Sequence, residues 1–256
     1  MLRRQLSSVF VGGAYVFPGG GVDPEDRGPE AAARCRGRDD AEASRLLEID
    51  SGALGYFVAT VRECFEEAGL LLAEGADGPV SFADPVTDSR FTEHRRRLNA
   101  GEITFAAILQ EEDLFLPLDR LCYFSHWITP VGAPRRYDTR FFVAIVPEGQ
   151  VALHDDAEVI ASEWVRPADA LARHHAGELD LMFPTIRHLE AIGRFSSSLE
   201  LWSAAAAAEV PTIQPRITVE GPGVRILLPG DPGFDEATGL PEGIPFPDRP
   251  IGVEGA

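Results

Sequence analysis

A chain of 256 residues with 45% hydrophobic content is long enough for one large domain or a core domain with additions. Its formal net charge of −18 sets it against nucleic-acid backbones and anionic membranes. No apolar run nears the roughly 20 residues of a membrane helix, and no basic-then-apolar leader opens the chain.

Residues 1–4 read as the end of a strand, so either the start is set too late, the favoured reading, or the fold lacks an edge strand. Residues 12–17, GGAYVF, read as a short strand entering the turn Phe17-Pro18-Gly19-Gly20-Gly21. Glycines there let backbone approach a ligand closely. Residues 23–50 are rich in charge and alanine. Their first half reads as a mobile surface loop, either a substrate lid or a solvated excursion, and 40–49 as a short capped helix.

Residues 55–70, GYFVATVRECFEEAGL, read as a helix. Glu63, Glu66 and Glu67 stand at i, i+3 and i+4 and share one face. Phe57, Val61 and Cys64 form an apolar stripe that Phe65 and Ala68 widen, and Gly69 supplies a stop. Three clustered carboxylates repel one another unless a divalent cation sits among them, and oxygen-only ligands suit Mg²⁺, Mn²⁺ or Ca²⁺. A solvated acidic helix face is the alternative.

Turn and helix together resemble the Nudix hydrolase family. Its box runs from a Gly-Gly pair to an Arg-Glu-apolar-X-Glu-Glu-X-Gly-apolar helix, and residues 62–70 match every fixed position of that second half, with Cys64 and Leu70 at the apolar places. Gly20 and Arg62 are 42 positions apart, far more than the box allows, so 23–50 is an insert. Leu54 occupies the place of the box's first glutamate, and Asp23, Glu25 or Asp26 are the candidates to replace it. A long insert directly after Phe-Pro-Gly-Gly resembles the subgroup that includes a peroxisomal coenzyme A diphosphatase. The resemblance implies an α/β fold: a Nudix-type α/β/α sandwich with a mixed sheet, here with added helices and a C-terminal β-hairpin. It implies Glu66 and Glu67 as metal ligands, Glu63 as ligand or water-orienting residue, a metal-binding carbonyl at Gly20, and Arg62 pinning a glutamate. Mg²⁺ (or Mn²⁺) is the implied cofactor.

Further on, 89–100 reads as a helix whose Arg95, Arg96 and Arg97 contact a phosphate or, more simply, face solvent, and 104–114 as an amphipathic helix. Residues 122–129 and 140–147 read as strands, the second fully buried, around a loop with Arg135 and Arg136. Such a hairpin can present guanidiniums to a diphosphate, so Arg135, Arg136 and Arg140 are substrate-binding candidates, although Arg140 can instead partner Asp138. His126 reads as a satisfied histidine rather than a ligand. Glu158, spaced before Glu163-Trp164 as in some Nudix enzymes, is carried over as a fourth metal ligand, with Asp155 and Asp156 as rivals and an acidic surface loop as the alternative. A strand at 163–165 and helices from 167, over 183–195 and over 199–208 follow, then a hairpin around 221–223 and a Pro/Gly-rich tail. Residues 1–210 are expected as the Nudix domain and 211–256 as hairpin and tail.

The expected activity is divalent-metal-dependent hydrolysis of a nucleoside diphosphate linked to another moiety, coenzyme A or acyl-coenzyme A favoured. ADP-ribose and NADH are alternatives, since Val9 stands where a coenzyme A motif upstream of Gly13 would have arginine. A non-catalytic nucleotide sensor is the rival from another class. The substrate is expected to be a small molecule, with no nucleic acid or membrane partner; a homodimer is left open. Cys35, Cys64 and Cys122, odd in number and widely spaced, are expected as reduced thiols in the cytoplasm.

Overall fold

A computed structural model describes residues 1–5, 13–133, 135–153, 159–220, 223–237 and 239. The chain divides into two compact units, Met1–Cys122 with Val143–Ser203, and Tyr123–Phe142 with Ala204–Ala256.

In the first unit β1 (Leu2–Arg4) pairs antiparallel with β2 (Tyr15–Val16), Leu2 opposite Val16. The start of the insert is ordered structure rather than the expected loop. A 3₁₀ turn at Glu25–Arg27 leads into α1 (Pro29–Ala32), where Pro29 presets the first helical φ and Ala31 is buried. Next come β3 (Cys35–Arg36) and α2 (Asp40–Leu47), the latter opened by a capping box between Asp39 and Glu42. The box helix α3 (Leu54–Ala68) buries Phe57, Val61, Phe65 and Ala68. It stops at Gly69, whose φ of 68° suits a residue without Cβ, and Gly69 and Leu70 N–H groups close on the carbonyls of Phe65 and Cys64.

The small hairpin of β4 (Glu74–Gly75) and β5 (Gly78–Pro79) follows. Then α4 (Pro85–Asn99) begins four residues earlier than expected, because Asp84 caps it and Pro85 fits its first turn. After α5 (Phe105–Glu111), Phe65 is ringed by Phe91 of α4 and Phe105, each with centroids 6.4 Å away. β6 (Leu116–Pro117) runs parallel to β3 and so ties the insert to the body.

In the second unit β7 (Cys122–Ile128) lies between β8 (Asp138–Val143) and a later strand. β8 is half-buried, not fully buried, and ends before Ile145, which is exposed. Back in the first unit, β9 (Val159–Ser162) pairs with β1, so β1 is the middle strand of its sheet. The strand expected at 163–165 lies earlier: Glu163 still exchanges backbone hydrogen bonds with Met1, but Trp164 beyond it is exposed. Helices α6 (Pro167–His175), α7 (Phe183–Ile192) and α8 (Ser198–Ala207) follow. β10 (Thr212–Ile213) runs parallel to β7. β11 (Arg216–Glu220) and β12 (Gly223–Leu227) make the expected hairpin, with Ile217 opposite Ile226 and both buried.

The fold is α/β. Among the described residues the strands group into two three-stranded and three two-stranded sheets. No helix among the described residues is long and apolar enough to cross a membrane.

Candidate active site

Arg62 is the hub of the site. It projects from the middle of α3, is 6% exposed, and uses every N–H of its guanidinium. Nε donates to Asp26 Oδ1 and Nη2 to Asp26 Oδ2, both at 2.9 Å. Nη2 also donates to the Gly21 carbonyl at 2.8 Å. Nη1 donates to Glu63 Oε1 at 3.0 Å and to Glu66 Oε2 at 2.6 Å. Burial alone would lower the Arg62 pKa; the hydrogen bonds and charge of Asp26, with Glu63 and Glu66, outweigh it and raise the pKa.

The glycine turn closes on the same helix face. Glu67 Oε2 accepts from the Gly19 N–H at 2.9 Å. At Gly20 a Cβ would lie 2.6 Å from Glu63 Cδ, so the missing side chain makes room for that carboxylate. Glu63, Glu66 and Glu67 therefore share one face beside residues 19–21, as the helical spacing requires. They do not converge as a cage: among the described residues no three acidic, His or Cys side chains surround a common point. Arg62 takes one oxygen each from Glu63 and Glu66.

Desolvation dominates the site's titration. Burial raises the Glu63 carboxyl to about 7; Arg62 opposes the rise and the charge of Glu66 adds to it. Burial raises Glu66 too, again against Arg62. Cys64 sits beside them, packed on Leu2, Ala68 and Leu70, and burial pushes its thiol up to about 12, which disfavours the thiolate.

A cleft of about 600 Å³ opens from Asp23, Asp26, Arg62 and Glu66. Arg97, Ile103 and Ala107, from the α4–α5 stretch, line it as well. The three consecutive arginines of α4 thus go separate ways. Arg95 Nε donates to the Glu66 carbonyl at 2.9 Å, near the end of α3 where cations are favoured. Arg96 joins Glu93 and Glu102 at the surface, and Arg97 faces the cleft, 3.8 Å from Glu111.

Of the other candidates, Glu158 lies outside the described residues, as do Asp155 and Asp156. Arg135, Arg136 and Arg140 belong to the other compact unit from the glutamates. Arg135 is exposed, and Arg136 donates to the Thr129 carbonyl at 3.1 Å. Arg140 has a buried side chain bonded to Asp138 at 2.8 Å, the pairing that its sequence neighbourhood left as an alternative. Asp138 also meets His126, whose other ring nitrogen meets Thr212, so His126 is satisfied as expected. Sequence reasoning missed Asp40, which accepts from the N–H groups of Gly52 and Leu54 and caps α3 from within the insert; spacing carried no signal for it.

The family model of the NUDT19 Nudix domain matches residues 38–192, which include α3. Two proteins named acyl-coenzyme A diphosphatase NUDT19, from Gallus gallus and Homo sapiens, are 27% and 26% identical over 92% and 90% of this chain, and 72% and 70% of their own. A putative nudix hydrolase 7 of Caenorhabditis elegans is 24% identical over 76% of this chain and 55% of its own. The crystal structure of a NUDIX hydrolase from Alicyclobacillus acidocaldarius superposes with a TM-score of 0.62 at 28% identity, covering 79% of this chain and 86% of that one. With the family model spanning more than half of its length and a solved Nudix hydrolase sharing its fold, the chain belongs to the Nudix hydrolases, in the family of the NUDT19 Nudix domain.

Proposed function

We propose that the chain is a divalent-cation-dependent diphosphatase that cuts coenzyme A or acyl-coenzyme A to 3′,5′-ADP and a phosphopantetheine product. The observation that carries the reading is a helix face of three glutamates set against a glycine turn, one of which, Glu66, lines a cleft. The relatives named acyl-coenzyme A diphosphatase supply the substrate class.

Glu63, Glu66 and Glu67 fit a hard divalent ion, Mg²⁺ or Mn²⁺, by their oxygen-only donors and by the room that Gly20 leaves for Glu63. Such an ion, when bound, neutralises the diphosphate and activates water. Glu66 and Glu67 hold it, with the Gly20 carbonyl and Glu158 as further ligands by sequence. Glu63 serves as a further ligand or orients the attacking water, beside the room that Gly20 leaves for it. Arg62 keeps Glu63 and Glu66 on one side of α3. Arg135 and Arg136 are retained as diphosphate contacts on sequence grounds. Arg140, committed to Asp138, is not. The cytoplasmic assignment rests on three free cysteines.

The test is incubation with Mg²⁺ and, separately, coenzyme A, NADH and ADP-ribose, with products read by mass. 3′,5′-ADP from coenzyme A is expected, and cleavage of NADH or ADP-ribose alone would replace the substrate. A nucleotide-sensing reading has one observation in its favour, the hold of Arg62 on two of the three glutamates. A thermal shift with a diphosphate and Mg²⁺ but no bond cleavage would select it.

A further inference from the structure

The insert interrupts the box in sequence, yet two of its acids are bonded to the box helix. Asp40 caps the start of α3, where the N-cap residue Ala53 offers no side-chain oxygen. Asp26, in the 3₁₀ turn Glu25–Arg27, is 4% exposed and grips Arg62 through both carboxylate oxygens. Asp26 Oδ2 also accepts from the Asp23 N–H at 2.8 Å, which fixes the carboxylate from its own side. Asp23 itself reaches Arg62 only at 3.5 Å from an exposed position, and Glu25 is exposed, so of the three acids that follow the glycines Asp26 is the one built into the site.

Arg62 has one positive charge to share among Asp26, Glu63 and Glu66. Asp26 takes two of its five N–H groups in a planar, two-point contact, and Gly21 takes a third. Without Asp26, the carboxylates left on the guanidinium would be Glu63, Glu66 and the exposed Asp23 at 3.5 Å, and a cation would compete with a larger share of the Arg62 charge for the two glutamates.

We propose that Asp26 is a positioning residue that sets divalent-cation affinity at the box helix by sharing the charge of Arg62, which still bonds Glu63 and Glu66. This rests on the proposed role of those glutamates as cation ligands. The insert is then part of the scaffold of the site, not a cover over it.

The experiment is Mn²⁺ titration calorimetry on the full 256-residue chain and on Asp26→Asn, Arg62→Gln, the double variant, Glu66→Gln and Asp40→Ala. Asp26→Asn should weaken Mn²⁺ binding about tenfold, a loss of ~1.4 kcal/mol. In the Arg62→Gln background the same change should have no further effect, because Asp26 acts through Arg62. Asp40→Ala should lower the melting temperature and leave Mn²⁺ affinity within about twofold, which separates helix support from charge sharing. Equal Mn²⁺ affinity in Asp26→Asn and wild type overturns the proposal, as does an equal Asp26→Asn loss with and without Arg62, which would mean direct attraction of the cation by Asp26. Should Asp26→Asn fail to fold, Asp26→Glu replaces it: the charge stays but the two-point contact from this backbone does not, so weaker Mn²⁺ binding supports the proposal and unchanged binding ends it. If Glu66→Gln loses Mn²⁺ while every Asp26 variant keeps it, only the role of Asp26 falls. If wild type binds no Mn²⁺, the glutamate reading falls with it.

Discussion

Glu63 carries a cost that only its surroundings explain. Its carboxyl is raised to about 7 by burial first, with Glu66 adding and Arg62 opposing. A carboxyl whose folded value lies above its unfolded value, near 4.5, holds its proton more tightly in the folded state. Its stabilising contribution is complete below about pH 4.5 and is lost as pH rises to about 7. In EDTA, wild type should therefore lose about 3 kcal/mol across that window from Glu63 alone. Glu63→Gln should show a shallower decline by that amount in urea unfolding followed from pH 4.5 to 7.5. Parallel curves for the two proteins would show that the carboxyl is not raised. Saturating Mg²⁺ should flatten the wild-type curve at neutral pH, because a cation favours the ionised carboxylate. Gly20→Ala meets the same group from the other side. Its Cβ would strike the end of the Glu63 side chain, not backbone, so the fold should survive while Mg²⁺-dependent turnover drops at least tenfold. At this scale the glutamate face was legible because helical spacing fixes which residues are neighbours. The choice of Asp26 over Asp23 and Glu25 was not, since spacing across an insert carries no distances.

The box helix depends on one buried face and one glycine. Phe65 is 1% exposed and meets both Phe91 and Phe105, so it joins α3 to the two helices that follow it. Phe65→Ala should cost about 3–5 kcal/mol of unfolding free energy, and its measure is the shift of the urea midpoint. Gly69→Ala should cost at least ~1 kcal/mol, because φ at Gly69 is 68° and alanine is strained there. Circular dichroism should show both variants folded at low urea. The helices announce themselves in sequence through local chemistry: the Asp39–Glu42 capping box, Asp84 before Pro85, Thr104 before Phe105. The strand pairings do not. β3 finds its partner β6, and β1 its partner β9, far along the chain, and neither pairing leaves a local mark. For that reason the ordered start of the insert read as loop.

Across the whole chain, a net charge of −18 works against compactness, while surface ion pairs such as Arg96 with Glu93 and Glu102 work for it. Exposed pairs contribute about 0–1 kcal/mol each. Like-charge repulsion is summed over the molecule and is screened as the Debye length falls from about 10 Å at 0.1 M salt to about 3 Å at 1 M. Repulsion should therefore win. In EDTA the melting temperature should rise as NaCl is increased from low to near-molar concentration, and a fall would mean that the ion pairs dominate. Screening by Na⁺ is gradual and needs no site, whereas a bound divalent ion acts by mass action and saturates. Millimolar MgCl₂ at fixed ionic strength should add a further, saturable rise in wild type. Glu66→Gln should keep the NaCl response, lose the Mg²⁺ increment and lose Mg²⁺-dependent turnover while remaining folded. Should Glu66→Gln retain the saturable Mg²⁺ increment and wild-type turnover, the cation is held elsewhere, and the glutamates of α3 are a solvated acidic face.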